Sequence, residues 1–505
     1  MKNPRVEFRY LETLKPTDLA SGFLGVETAT NTWDHPLSGI LALLEALQCH
    51  DEPSCSALKR CHTLLRTPPP SLHTCFRRLS RETNQIATQF YWLGEEIANL
   101  LVARRIDCVQ FLNAQRLDTS SLAVLACCIQ SQTAREIQWN LVLGDELGEL
   151  ANHDSREARR HTITRFIVQI GIPNIQGLEA AIARFARGAV RSTWGVDAEM
   201  NLRHMHHLSA LCAYDAAIEA AWNANHYAQL ETHTVQAFEM LGLLYLTQFE
   251  VEALVPIFKQ WHAQVTQPRF IARWHYFHAT TLAKRSVSPK DAEWIARTGI
   301  YTLGRGCDED TQIERAWLLN ALALCVSAQA IKYRDRQSIL LRHALRLEQL
   351  AIAIIKDQVN NDAQYLRDNI CTNLVTAHEM LGSYEQAYLE WQPLMQRTNL
   401  KSLLPEGHAW YRWGMLNWRS GRLTEAINAL KCAAHAHADN PWLHTLILDA
   451  LNFVQSNSFS QDMMSSVSKD LKVSTPRPKL PAFLPNIDLA YQPSRDFTSY
   501  LIGTR

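Results

Sequence analysis

The chain has 505 residues, 47% of them hydrophobic, with 50 lysines and arginines against 50 aspartates and glutamates. That length holds about two to four domains with a core that needs no staples, while a formal charge of zero argues against a generic polyanion binder, whose affinity grows with the phosphates it neutralises. Apolar stretches such as Leu122–Ile129 fall short of the roughly 20 residues that cross a bilayer, and the cysteines form no CxxC pair, so the expectation is a soluble, cytoplasmic protein without membrane association or a disulfide framework.

Arg5-Val6-Glu7-Phe8-Arg9-Tyr10 alternates with period two, the pattern of a half-buried strand. Asp34-His35-Pro36-Leu37 then opens a helix, with Asp34 as cap, Pro36 in the first turn and a stripe of Ile40, Leu41, Leu43, Leu44 and Leu47. Thr67-Pro68-Pro69-Pro70 interrupts regular structure, and Phe90 to Val102 reads as helix again. Next come a short apolar run over Ile106–Leu112, a helix from Ser120 to Gln132 and a second apolar run over Ile137–Asp145. Strand, helix, strand at this spacing is a βαβ unit and favours a parallel sheet.

From about residue 160 onward strand alternation stops and helical blocks of about 12 to 18 residues follow, separated by short turns. Ser288-Pro289 and Asn440-Pro441 each set a capping side chain before a proline at the first helical position. Within 407–441, Trp410, Gly414, Gly421, Ala426, Leu430 and Ala433 recur at spacings that pair two antiparallel helices, small residues permitting close approach and the turn glycine ending the first helix. Residues 235–261 (Phe238, Leu241, Gly242, Tyr245, Leu254, Phe258, Trp261) and 368–394 (Leu374, His378, Gly382, Ala387, Trp391) fit the same scheme, and 270–300 and 313–356 look like divergent copies. Over residues 205–455 these positions resemble tetratricopeptide repeats. The resemblance implies a right-handed superhelix whose groove binds peptides, protein segments or sometimes small ligands, and it implies no chemistry.

A second resemblance lies upstream. Phe111-Leu112-Asn113-Ala114-Gln115-Arg116-Leu117-Asp118-Thr119-Ser120-Ser121-Leu122 resembles the Walker B region of signal-transducing P-loop ATPases with tandem repeats, the class that includes maltose-regulator-like activators. In that family the strand ends in two acidic residues, where this chain has Leu112 and Asn113. Leucine cannot ligate a hard cation and asparagine cannot act as a general base. Upstream there is no GxxxxGK[ST]; Gly22-Phe23-Leu24-Gly25-Val26-Glu27-Thr28 has glycines but no lysine. ATP hydrolysis by the family mechanism is therefore not expected, nor is a DNA-reading helix-turn-helix, because the last 50 residues are proline-rich and aromatic.

The expected fold is mostly α: a TPR-like α-solenoid preceded by a small degenerate α/β P-loop-like domain, with residues 1–155 as that domain, 156–204 as a helical connector, 205–455 as the solenoid and 456–505 as a Ser/Pro-rich tail with aromatic anchors. His204 and His207 share a helix face and invite a metal, but the usual zinc spacings are absent, so no metal and no cofactor are expected. Arg184, Arg187 and Arg191, preceded by Arg156, Arg159, Arg160 and Arg165, could hold an acidic segment or phosphate, or could form a solvated face. Trp413 and Trp418 stand outside the packing pattern and are candidates for a groove surface. Phe497 and Tyr500 are candidate anchors of a docking tail, which could equally lie on its own solenoid. No nucleophile elbow, HExxH or GxGxxG after a strand occurs, so catalytic residues are not assigned. The expected function is a non-catalytic adaptor for a protein or peptide partner, without nucleic acid. The alternatives are a ligand-sensing regulator derived from the ATPases, with a small-molecule effector, and an auxiliary subunit of a biosynthetic enzyme complex.

Overall fold

A computed structural model describes residues 5–10, 23–27, 35–49, 55–66, 89–144, 153–170, 182–183, 196–248, 254–284, 288–396, 406–438 and 441–456. The Thr67–Pro70 break, Arg184, Arg187, Arg191 and the tail with Phe497 and Tyr500 lie outside the described residues. The protein is mostly helical, with a small parallel sheet near its N-terminus. It divides into two compact units that meet in sequence at Gln264 and Val265. No helix among the described residues is long and apolar enough to cross a membrane.

In the first unit, β1 (Arg5–Tyr10), β2 (Phe23–Glu27), β3 (Cys108–Leu112) and β4 (Gln138–Leu143) form one sheet in the order β1-β4-β3-β2. All three pairings are parallel, with Cys108 opposite Gln138 and Arg5 opposite Gln138 across the two sides of β4. The βαβ expectation is met. Parallel strands demand cover on both faces, and β4 and the intervening helix α4 (Thr119–Gln130) are almost wholly buried. β2 was not anticipated, because Gly25 within Phe23-Leu24-Gly25-Val26-Glu27 weakens the strand pattern.

Among the described residues, the helices between β2 and β3 are α1 (Ser38–Ala46), α2 (Ser56–Arg66) and α3 over 89–103. Ile40, Leu43, Leu44 and Leu47 of the expected stripe are buried. After β4 follow α5 (His153–Gln169), α6 (Ala198–Ala210), α7 (Tyr214–His226), α8 (Glu231–Gln248) and α9 (Leu254–Gln264). α6 packs on α7, α7 on α8 and α8 on α9, and α5 packs on α7. Phe238 of α8 stacks on Trp261 of α9 with centroids 6.2 Å apart. The boundary expected between connector and repeats, at residues 204 and 205, falls inside α6.

The second unit runs through α10 (Pro268–Lys284), α11 (Pro289–Thr302), α12 (Glu309–Lys332), α13 (Gln337–Ile355), α14 (Asn361–Met380), α15 (Tyr384–Met395), α16 (Glu406–Arg419), α17 (Leu423–Ala436) and α18 (Pro441–Ser456). Every helix packs on its successor. Ser288 occupies the N-cap of α11 before Pro289, as the sequence indicates, yet its hydroxyl makes no capping hydrogen bond.

One turn geometry recurs. Gly382 (φ 73°) follows α14 and Gly421 (φ 76°) follows α16. In each case the next residue's N–H reaches back five residues, Ser383 to the His378 carbonyl and Arg422 to the Asn417 carbonyl, both at 2.8 Å. This Schellman closure satisfies carbonyls that a helix end orphans and reverses the chain within two residues. The turn between α6 and α7 repeats it, Ala213 N–H donating to the Leu208 carbonyl at 2.9 Å, with Cys212 (φ 61°) in the left-handed position. A cysteine there hides the signal that glycine gives elsewhere. Between α16 and α17 the close approach depends on Gly414, where a Cβ would stand 2.8 Å from Leu430 Cγ.

Candidate functional site

The carboxyl ends of parallel strands are where open α/β sheets bind ligands, which makes this edge of the first unit a candidate site. β3 ends at Leu112, and Asn113 turns the chain in the left-handed region (φ 55°) into a single 3-10 turn, Ala114–Arg116. A Cβ on Gly144, just beyond β4, would collide with Asn113 Oδ1, and the Gly144 N–H donates to Gln115 Oε1 at 2.9 Å. Asp118 caps α4 by accepting from Ser121 N–H (2.8 Å) and Ser121 Oγ (2.5 Å). It also reaches α1, accepting from Leu37 N–H (2.9 Å), Gly39 N–H (3.4 Å) and Ser38 Oγ (3.1 Å). Leu37 makes no side-chain cap of its own (φ 64°). The anion at the α1 N-terminus, where dipole and orphan N–H groups attract negative charge, is therefore the protein's own carboxylate from 81 residues away. Sequence reading put the cap at Asp34, which lies outside the described residues.

Arg159 of α5 closes the edge from the other side. Its side chain is fully buried and donates to Asp215 Oδ2 of α7 (3.2 Å), to the Gln115 carbonyl (3.3 Å) and to the Leu117 carbonyl. Thr119 Oγ1 donates to Asp215 Oδ1 at 2.6 Å. Burial pushes the Asp118 carboxyl up, opposed by its donors, and pulls Arg159 down, opposed by Asp215. Arg159 is thus an internal tie and not part of an exposed arginine face, whereas Arg156 and Arg160 are exposed. With Leu112 and Asn113 at the end of β3 and Asp118 engaged by five donors, the described residues of this edge offer no carboxylate pair for a metal-assisted hydrolysis. Among the described residues no group of three or more His, Cys, Asp or Glu is placed to hold a metal. His204 is exposed on α6; His206, which the sequence reading passed over, is buried with its ring pushed down to about 4 by burial. Burial likewise lifts the Cys61 thiol to about 12, which keeps it out of the nucleophilic thiolate form.

The second unit concentrates its polar chemistry where α14, α15 and α16 meet. Glu379, at the end of α14, accepts from Arg412 Nη2 (3.0 Å) and Arg419 Nη1 (2.7 Å), both on α16 and both buried. The Arg412 guanidinium lies 4.8 Å from the Trp391 ring centre and that of Arg419 lies 5.7 Å from Tyr384. Beside this buried cluster is a partly open one. Arg422 binds both oxygens of Glu385 (2.7 and 2.8 Å) and covers the Tyr388 ring at 3.8 Å, and Tyr388 stacks on Trp413 with centroids 4.6 Å apart.

Trp413 is half-buried at that stack. Trp418 is different: it is 2% exposed and packs edge-on against Phe453 of α18, so it belongs to the core and not to a surface. It falls on the inward face of α16 together with Met415, and the sequence pattern alone did not reveal that α18 covers it. Arg412, Arg419, Arg422 and Tyr388 carry the chemistry here and were not singled out from sequence; their only signal is the spacing of three arginines along one helix and its following turn.

Comparison with known proteins adds nothing to these features. No family model matches the chain, and no curated protein matches it.

A third buried group has a measurable consequence. Glu348 of α13 is buried among α12 and α14, accepting from Asn373 Nδ2 at 2.9 Å, with the Asn373 and Asn320 amides 2.8 Å apart. Burial pushes its carboxyl well above the usual value of 4.5. The neutral form is the one the fold favours, so the stability it supports is fully present below pH 4.5 and is lost as pH rises through the folded-state value. Glu348→Gln, neutral at every pH, is expected to raise the melting temperature at pH 8 by several degrees and to change it little at pH 4.5. Melting curves of the two proteins across that range test this, and parallel curves would show that Glu348 does not titrate in the fold.

Proposed function

We propose that the chain is a non-catalytic adaptor, a TPR-like α-solenoid protein that holds a peptide or protein partner, with a degenerate P-loop-like α/β portion before it. The observation that carries this reading is the repeated helix-turn-helix geometry: the same two-residue Schellman turn after α14 and α16, 39 residues apart as Gly382 and Gly421, joining helices that meet through small residues such as Gly414, Ala426 and Ala433. Stacked helix pairs of this kind commonly use one surface for recognition. The derivation from signal-transducing ATPases draws support from β3 and β4 lying side by side and parallel, as the Walker B and following strands would. The self-occupied strand ends support a pseudo-ATPase that works without turnover.

Recognition would centre on the Arg422–Tyr388–Trp413 stack, since half-exposed aromatic and arginine side chains supply most of the energy of such interfaces. Tyr388→Ala is expected to weaken a partner recovered with the full chain by about tenfold or more, the cost of losing a central aromatic anchor. Affinity capture from native lysate, wild type against Tyr388→Ala and Trp413→Ala, reads this directly. If neither substitution changes the proteins recovered, the stack is not the recognition surface; if no protein is recovered at all, the adaptor reading fails.

A further inference from the structure

The N-terminus of α15 combines three features that no packing role uses. First, Ser383 stands at its N-cap without making a capping hydrogen bond, so the first N–H groups of a 12-residue helix lack the usual side-chain acceptor. Second, Arg419 is 3% exposed, yet its Nε and Nη2 have no hydrogen-bond partner. One oxygen of Glu379 is all the counter-charge that Arg419 receives, and Glu379 is shared with Arg412. Third, Arg422 comes from the turn after the same helix, and its Nη1 is also buried without a partner while its side chain is 28% exposed. Arg419 lies over Tyr384 and Arg422 over Tyr388, the first and fifth residues of α15. Both guanidiniums therefore stand against side chains of the first two turns of a helix whose dipole is positive at that end.

A buried guanidinium left with open donors is costly, and proteins offset that cost with a bound or internal anion. Tetrahedral oxyanions suit the remaining geometry, because guanidinium forks and helix N-terminal N–H groups both direct several donors at one group of oxygens. The first unit provides an internal comparison. There the α1 N-terminus is filled by the Asp118 carboxylate, whereas the corresponding acid at α15, Glu385, is drawn off by Arg422.

We propose that the first turn of α15, with Arg419 and Arg422, binds a phosphate-type oxyanion, free or as the phosphoryl group of a small phosphomonoester. Arg422, partly exposed, admits the ligand, and Arg419 receives it. This site does not depend on the adaptor reading, and it would give the second unit a small-molecule effector.

Isothermal titration of the full chain with inorganic phosphate and with O-phosphoserine, against sodium chloride at equal ionic strength, tests it. Wild type is expected to bind both phosphate probes saturably and chloride not at all. Arg419→Gln should weaken binding about tenfold or more, the loss of a charge-assisted fork. Glu385→Gln, at a half-exposed position that the fold tolerates, removes the competitor for Arg422 and should tighten binding about fivefold. Asp357→Asn makes the same charge change on an exposed acid elsewhere in the unit and should leave affinity unaltered. Tighter binding of O-phosphoserine than of phosphate assigns the phosphomonoester; equal binding assigns the free ion. Heat signals no larger than those of chloride, or Glu385→Gln and Asp357→Asn changing affinity equally, would overturn the proposal.

Discussion

Arg159→Met is expected to destabilise the first unit by about 3 to 5 kcal/mol, because it strands Asp215 as an uncompensated charge in the interior. The guanidinium is fully buried and donates to Asp215 on α7, to Thr119 Oγ1 at the start of α4 and to the Gln115 and Leu117 carbonyls in and after the 3-10 turn. Methionine fills much of the volume but donates nothing, so both carbonyls lose their donor and Asp215 keeps neutral donors, Thr119 Oγ1 and the Ala216 N–H, in place of a counter-charge. The double variant Arg159→Met, Asp215→Leu should recover most of the loss, since an apolar pair of similar volume replaces a buried ion pair at little net cost. Urea denaturation followed by far-UV circular dichroism measures both. A single-variant loss below about 1 kcal/mol, the value of an exposed ion pair, would mean that Arg159 is not the tie between the strand ends and α7. ATP with magnesium should shift neither protein's midpoint, because the anion position at α1 is already occupied by Asp118.

The parts of this fold that sequence revealed are those set by local period. The alternation at Arg5–Tyr10, the apolar runs of β3 and β4 and the glycines at 382 and 421 each record a constraint that neighbours in the chain impose on one another. The parts that escaped are set by partners far away. Asp118 reads locally as the cap of α4, and it is that, but its reach to Leu37 and Gly39 depends on how α1 returns over the sheet. Arg159 belongs by sequence to a run of basic residues and by structure to the interior, because α5 turns that one position towards α7. Trp418 was assigned to a surface since it breaks the repeat spacing, and α18 covers it. Glu348 sits in a helix whose stripe looks ordinary, and only the placement of Asn373 marks it as buried polar chemistry. The turn between α6 and α7 has the repeat geometry without its glycine, so its pair went unrecognised.

The junction of α14, α15 and α16 makes the opposite demand from the strand-end hub, an acid removed from between two bases. Glu379→Ala leaves the Arg412 and Arg419 guanidiniums facing each other's charge inside the unit, 3% and 2% exposed at the side chain, and should cost about 3 to 5 kcal/mol. The stacking of Arg412 on Trp391 and of Arg419 on Tyr384 recovers only part of this, as a cation over a ring contributes about 0.5 to 2 kcal/mol. Glu385→Ala breaks an ion pair of equally short distance, yet Glu385 is 54% exposed and Arg422 28%, so its cost should stay within about 1 kcal/mol. The contrast isolates burial from geometry, and urea midpoints of the two variants against wild type decide it. Equal costs would mean that water reaches the Glu379 cluster. A large cost for Glu379→Ala that 50 mM phosphate partly reverses, beyond the effect of chloride at equal ionic strength, would show that an oxyanion can stand in for the missing carboxylate between Arg412 and Arg419.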